Sequence, residues 1–319
     1  MNKARSISRL CYGTKTIDGA GVQLRRYFGR EELPAFDPFL QFDDISSCNP
    51  REFSRGYPWH PHRGIESVTY VIDGAVAHDD TLGNVNTVSA GEVRWISAGS
   101  GVIHQEMPLA GPSNRLRAFE LWINMPAKNK MDDPLCRNIT AEEIPHAHCC
   151  AKSLFRIIAG ELDSVRGPVN NPLMEPVWFD IFLPPYSEFV YPTPLHHTFF
   201  AYLFEGECSF GTIDEEQAAK TGSSIKTDPP PPGENGLPAI TAHTLVHFSE
   251  GSFISTATGE RPARFLLIGA KPIHEPVAWY GPIVMNSEAE LKKAFEEFQV
   301  GTFVKHEREV FCENKEAQP

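Results

Sequence analysis

Along most of the chain, short runs of β-branched and aromatic residues are cut every few positions by Gly, Pro, Asn or Asp. ESVTYVIDG, NTVSAGEVRWIS, RAFELWINMP, FRIIAG, VWFDIFLP, FFAYLFEGECSFG and ARFLLIGAKP are the clearest runs. β-Branched and aromatic side chains suit a pleated surface, and the interrupting residues suit turns. No helical pattern alternates with the runs, so the rhythm predicts an all-β sandwich or barrel.

At 319 residues the chain can build two domains, each with its own core. Residues 127–150, AKNKMDDPLCRNITAEEIPHAHCC, are polar and lose the rhythm. A linker over 131–150 is therefore expected between a first barrel, 1–130, and a second, 151–319. HRGIESVTYVIDGAVAHDD in the first half and HHTFFAYLFEGECSFGT in the second share one pattern, histidine before an apolar strand that ends in an acidic residue and glycine. Two copies of one barrel would explain the length. Residues 211–240 hold four consecutive prolines and no apolar period, which predicts an extended surface loop without a catalytic role. One helix is signed over 287–300: Ser287 and Glu290 form a capping-box pattern, Leu291, Ala294, Phe295 and Phe298 follow at helical spacing, and Gly301 stands at the C-terminal cap.

Composition excludes several classes of function. A chain 41% hydrophobic and 22% charged reads as globular, and a net charge of -12 offers no basic field for a phosphate backbone, so direct nucleic-acid binding is not expected. An acidic protein-partner surface is compatible with it. No run of about twenty apolar residues occurs, and MNKARSISRLCYG lacks the apolar core of a secretory signal. A cytoplasmic chain, or in a nucleated cell a nuclear one as well, is expected, without a membrane partner. The seven cysteines are scattered and contain no Cys-x-x-Cys pair, which fits a reducing compartment.

Within WHPHRGIE, His60 and His62 flank Pro61. Residues i and i+2 of an extended chain share a face, so the two imidazoles would project side by side. An isolated His-x-His is more often a solvated loop; partners decide its meaning. GEVRWISAGSGVIHQEM supplies them, with His104 and Glu106 at the same spacing. Two such pairs on adjacent strands would converge as three imidazoles and one carboxylate. That donor set suits a divalent first-row metal and leaves two octahedral positions open, with iron the leading candidate. The second half has no equivalent: His196 and His197 are adjacent, as are His274 and Glu275, so that barrel is expected to be metal-free. His146, His148, Cys149 and Cys150 sit in the presumed linker without a partner motif and suggest only adventitious metal uptake.

HPHRGIESVTYVIDG, AGEVRWISAGSGVIHQEMP, LWINMP and EPVAWYGPIVMN together resemble the pirin family of the cupin superfamily, over nearly the whole chain. The resemblance implies two tandem cupin (jelly-roll type) β-barrels with a short C-terminal helix closing the second. It implies one metal in the first barrel, held by His60, His62, His104 and Glu106. Ordinary cupins take their carboxylate from a position that is Glu66 here, whereas the pirin-like pattern uses Glu106. With no bulge between them, Glu66 is expected on the face of His60 and His62, as a partner that orients an imidazole.

The pirin family includes proteins with quercetin 2,3-dioxygenase activity. The resemblance thus implies an iron-dependent dioxygenase whose partners are dioxygen and a small flavonol-like aromatic, with Glu106 both metal ligand and catalytic base. It equally implies an alternative: an iron-dependent, redox-responsive regulator that binds a protein partner, as a transcriptional co-regulator or a modulator of a metabolic enzyme. On either reading the chain is expected to be a monomer. A site open to a cavity of several hundred cubic ångströms would favour the enzyme, and one plugged by side chains the switch.

Overall fold

Alternation along single strands sets the architecture. In the strand Thr198–Phe210, Phe199, Ala201 and Leu203 pack into one core, while Phe200, Tyr202 and Phe204 pack into another. Both faces are apolar because each faces protein: one lines the interior of the second barrel, and the other packs against the first. The strand Ala263–Ala270 repeats the division, with Phe265 and Leu267 inward and Leu266 and Ile268 toward the first half. A computed structural model describes residues 3–148, 152–169, 171, 174–211 and 239–306. The polyproline stretch lies almost wholly outside the described residues, as do Cys149, Cys150 and Cys312.

The first half is two antiparallel sheets. A seven-stranded sheet runs in the order Leu135–Ile139, Val93–Ser97, Ile65–Asp73, Arg117–Asn124, Phe39–Asp44, Val22–Phe28, Thr14–Asp18. A four-stranded sheet, Tyr57–His62, Val102–Leu109, Ala75–Asp80, Val85–Ser89, faces it. The second half is built on a ten-stranded sheet. The large sheets of the two halves pack together through aromatic rings, among them Phe42 against Phe200 and Phe119 against Tyr202. Buried hydroxyls in that layer find acceptors across it: Tyr70 donates to Asp180 at 2.6 Å and Tyr202 to Asp44 at 2.5 Å. The all-β expectation of two tandem jelly-roll barrels matches this arrangement.

The division of the chain between the halves differs from the expected one. Ile7–Cys11, expected in the first barrel, pairs with Thr244–Phe248 of the second. Within the presumed linker, Leu135–Ile139 extends the first sheet, pairing with Val93–Ser97, and His146–Ala147 pairs with Leu154–Ala159 of the second. Polar strands read as linker because edge strands keep one face in water.

The C-terminal segment returns to the first half rather than closing the second. Its hairpin, Ala278–Tyr280 with Ile283–Met285, places Trp279 and Val284 against Leu40, Ile65, Ile96 and Val102. The helix Glu288–Gln299 follows, capped where expected by Ser287, whose Oγ accepts from the Glu290 N–H. Its buried residues Leu291 and Ala294 cover that hairpin. Arg63 ties the helix to the barrel, with Nη1 2.8 Å from Glu297 and Nη2 donating to the Phe303 carbonyl at 2.8 Å.

Candidate metal centre

Three neighbouring strands of the four-stranded sheet each carry polar side chains at i and i+2: His60 and His62, His104 and Glu106, His78 and Asp80. In the antiparallel register His104 lies opposite His60 on one side and Asp80 on the other, and Glu106 lies opposite His78. Period-two alternation therefore puts all six on one face. All but His60, which is half-buried, are buried. The facing sheet contributes Thr69, Arg94, Glu120 and Trp122 at its own inward positions.

Donor atoms of His60, His62 and His104 lie within 4.8 Å of one another. Hydrogen bonds fix two of the rings. His60 Nδ1 is 2.9 Å from the Pro58 carbonyl and His62 Nδ1 is 3.2 Å from the Pro282 carbonyl. A carbonyl only accepts, so both Nδ1 atoms carry the hydrogen and both Nε2 atoms are left with lone pairs. Those two Nε2 atoms face each other at 3.2 Å. His104 is fully buried, and neither of its ring nitrogens has a partner. Burial, reinforced by His60, holds His62 well below the ordinary imidazole value. Burial, with His62 and His60 beside it, does the same for His104. Neutral rings with converging lone pairs and no donor between them are costly in a protein interior unless a cation is shared among them. The residues present fit a divalent metal.

Glu106 is buried, and its Oε1 accepts long hydrogen bonds from Arg94 Nη1 at 3.4 Å and Thr69 Oγ1 at 3.5 Å. Its donor atom lies within 4.8 Å of those of His104 and His78. The four expected residues thus meet as two trios that share His104, and the second contains His78. The expectation for Glu66 is corrected. The chain turns at Gly64 (φ +75°), where a Cβ would collide with the Val284 carbonyl oxygen, and Glu66 lies in a separate strand, Ile65–Asp73, on its opposite face. There it accepts from Trp95 Nε1 at 2.8 Å, Ser97 Oγ at 3.1 Å and Asn171 Nδ2 at 2.9 Å. It orients no imidazole, and burial pushes its carboxyl up to about 7 against those bonds.

The centre opens on a cavity of about 590 Å³ lined by Tyr57, His60, Glu106, Glu120, Trp122 and Trp279, among others. Glu120 accepts from Trp122 Nε1 at 2.8 Å and Ser67 Oγ at 3.2 Å. Burial and the neighbouring Glu106 charge push its carboxyl up to about 8. A larger cavity of about 700 Å³ between the halves takes His196, His197 and His274 in its wall. Among the described residues, no three metal-capable side chains converge there. His148 donates to the Ser153 carbonyl at 2.7 Å, and His146 is exposed on its short strand.

The family model for pirin matches residues 21–123 and that for the pirin C-terminal cupin domain matches residues 232–304. A Pseudomonas aeruginosa protein that carries quercetin 2,3-dioxygenase as a provisional name is 34% identical over 305 residues, covering 94% of this chain and 99% of that one. The chain belongs to the pirin family. A pirin-like protein of Solanum lycopersicum is 37% identical over 287 residues, covering 89% of this chain and 88% of its own. Among solved structures, a quercetin 2,3-dioxygenase from Acinetobacter baumannii superposes with a TM-score of 0.79 at 26% identity, over 94% of this chain and 99% of that one. A bacterial pirin from Escherichia coli, crystallised with nickel(II), shares the fold at 18% identity and a TM-score of 0.57, over 85% of this chain and 99% of that one. No helix among the described residues is long and apolar enough to cross a membrane.

Residue-by-residue reading of the sequence missed His78, Asp80, Arg94 and Glu120. A signal existed for the first two: His78-Asp79-Asp80 has the same i, i+2 spacing as the two recognised motifs. Arg94 and Glu120 carried none, because single polar residues inside apolar strands look like ordinary alternation.

Proposed function

We propose that His60, His62, His104 and Glu106 hold a divalent metal, iron by preference, and that the chain is a dioxygenase acting on flavonol-like aromatics. The observation that carries this reading is the pair of facing imidazole lone pairs at 3.2 Å, beside a buried His104 with no partner, at the floor of an open cavity of about 590 Å³. That volume falls within the usual range for small-molecule sites and favours turnover over a plugged switch. Three neutral imidazoles and one carboxylate suit a first-row ion with open positions. A bound divalent metal would stabilise a deprotonated substrate oxygen and give dioxygen a redox partner.

The chain's own groups supply the rest. Tyr57, Trp122 and Trp279 offer walls against which a planar aromatic can stack. Glu106, with only long hydrogen bonds to Arg94 and Thr69, can accept the substrate's hydroxyl proton. Glu120, its carboxyl raised by burial and by Glu106 beside it, can donate to a substrate oxygen in the same cavity. Metal analysis of the purified protein tests the reading: about one equivalent of a first-row ion, lost in His104→Ala, is expected. Full metal content in His104→Ala would refute it.

A further inference from the structure

The six-residue face contains a ligand that the quartet does not use. His78 is buried beside His104, their ring centroids 5.3 Å apart. Its Nε2 lies 2.9 Å from Asp80 Oδ2. Asp80 is itself anchored, taking hydrogen bonds from the Leu82 N–H, the Asn84 N–H and Asn84 Nδ2. With three N–H donors already aimed at its two oxygens, the Asp80 carboxylate is the acceptor toward His78 Nε2, which puts the hydrogen of the neutral ring on Nε2 and its lone pair on Nδ1. That Nδ1 is buried and has no hydrogen-bond partner. A carboxylate that fixes the tautomer of an imidazole whose other nitrogen is bare is the arrangement that prepares a histidine to bind a metal.

Donor atoms of His78, His104 and Glu106 lie within 4.8 Å of one another, as do those of His60, His62 and His104. The two trios share His104. Two divalent ions so close together, with Arg94 3.4 Å from Glu106, would repel strongly. One ion with two seats avoids that. We propose that His78, oriented by Asp80, is a further metal ligand of this barrel: with His104 and Glu106 it forms an inner seat for the ion that the quartet His60, His62, His104 and Glu106 holds. This rests on the metal-centre reading above and deepens it. A third grouping, His78, Asp80 and Cys136, is a poorer seat, because the Asp80 oxygens are already taken.

The test is Co²⁺ titration of the metal-stripped full chain, read by visible absorption and by competition with a chelator. Wild-type protein should bind one equivalent. His78→Ala should still bind one equivalent, roughly 10- to 100-fold more weakly and with an altered cobalt spectrum, and Asp80→Asn should move affinity and spectrum in the same direction to a lesser extent. His60→Ala should retain an equivalent in the inner seat, while His60→Ala/His78→Ala should lose tight binding. Near-ultraviolet circular dichroism confirms folding, and Asp80→Asn, which leaves the His78 ring in place, serves if His78→Ala does not fold. Wild-type affinity and an unchanged spectrum in a folded His78→Ala or Asp80→Asn variant would overturn the inner seat. So would a thiolate-to-cobalt band that disappears in Cys136→Ser. His104→Ala separates the two claims: loss of cobalt there with an unaffected His78→Ala removes only the inner seat, whereas retention of full binding in His104→Ala removes the metal centre itself.

Discussion

At the scale of single residues, environment assigns different work to chemically identical groups. Glu106 and Glu66 are both buried carboxylates. Glu106 meets two long donors and a cluster of bare imidazole nitrogens, while Glu66 meets three well-formed donors on the other side of the sheet. Glu106→Gln keeps size and one oxygen but removes charge and basicity. Flavonol-dependent oxygen uptake should fall at least about 100-fold in a variant that still binds metal; steady-state turnover at saturating metal measures this, and undiminished turnover would remove the base role. Glu66 makes a stability prediction instead. Its folded-state carboxyl lies at about 7 against an ordinary 4.5, so the folded chain holds a proton that the unfolded chain releases between those values. Wild-type stability should therefore decline relative to Glu66→Gln as pH rises from about 4.5 to 7, by up to roughly 3 kcal/mol. A pH-independent offset from the replaced hydrogen bonds is expected on top. Urea midpoints of the metal-free proteins across that window check the slope.

At the scale of elements, the strands and the helix were legible because each obeys one period. Apolar runs cut by turn residues became strands, and the Ser287 cap with its apolar stripe became the helix Glu288–Gln299. What each element packs against was less legible. The helix stripe carries no record of which barrel it covers, and Leu135–Ile139 reads as linker because an edge strand needs apolar residues on one face only. Parity failed at one place for a definite reason: the turn at Gly64 separates Tyr57–His62 from Ile65–Asp73, so counting from His62 to Glu66 across it gives the wrong face. The same turn lets the Val284 N–H reach the Arg63 carbonyl at 3.0 Å, which seats the hairpin bearing the Pro282 carbonyl against His62. Gly64→Ala combines a left-handed backbone, costing about 1–3 kcal/mol, with collision against the Val284 carbonyl oxygen. It should lower the unfolding midpoint and weaken metal binding together. A destabilised variant with unchanged metal affinity would show that the hairpin does not position His62.

At the scale of the whole molecule, the two barrels share a framework but differ in what fills them. The second is packed with Phe155, Phe179, Phe199, Phe265 and their apolar neighbours. The first has apolar clusters around Val71 and Val88 and around Ile65 and Val102, with the imidazoles and carboxylates between them. The metal-capable face of the first barrel was legible because its histidines recur at i, i+2 spacing, a pattern the second half lacks in sequence. The interchange of terminal segments, Ile7–Cys11 to the second sheet and the C-terminal hairpin and helix to the first, was invisible, since pairing across more than two hundred residues leaves no local trace. The polyproline stretch leaves and rejoins the second half, where Cys208 pairs with Ile240 and Glu207 with Thr241. With its flanks already paired, replacement of 214–236 by a short Gly-Ser linker should preserve folding, metal content and oxygen uptake. Loss of turnover in a folded, metal-loaded variant would place the segment over the first barrel.

Oxygen-electrode measurement on the iron-loaded full chain decides whether the first barrel oxygenates a flavonol at a protein-held metal, as proposed. Addition of a flavonol should start oxygen uptake equimolar with flavonol loss, absent in the metal-stripped protein and in His104→Ala. Iron-loaded protein, with its metal bound at one equivalent, that consumes no oxygen in the presence of flavonols would contradict the account.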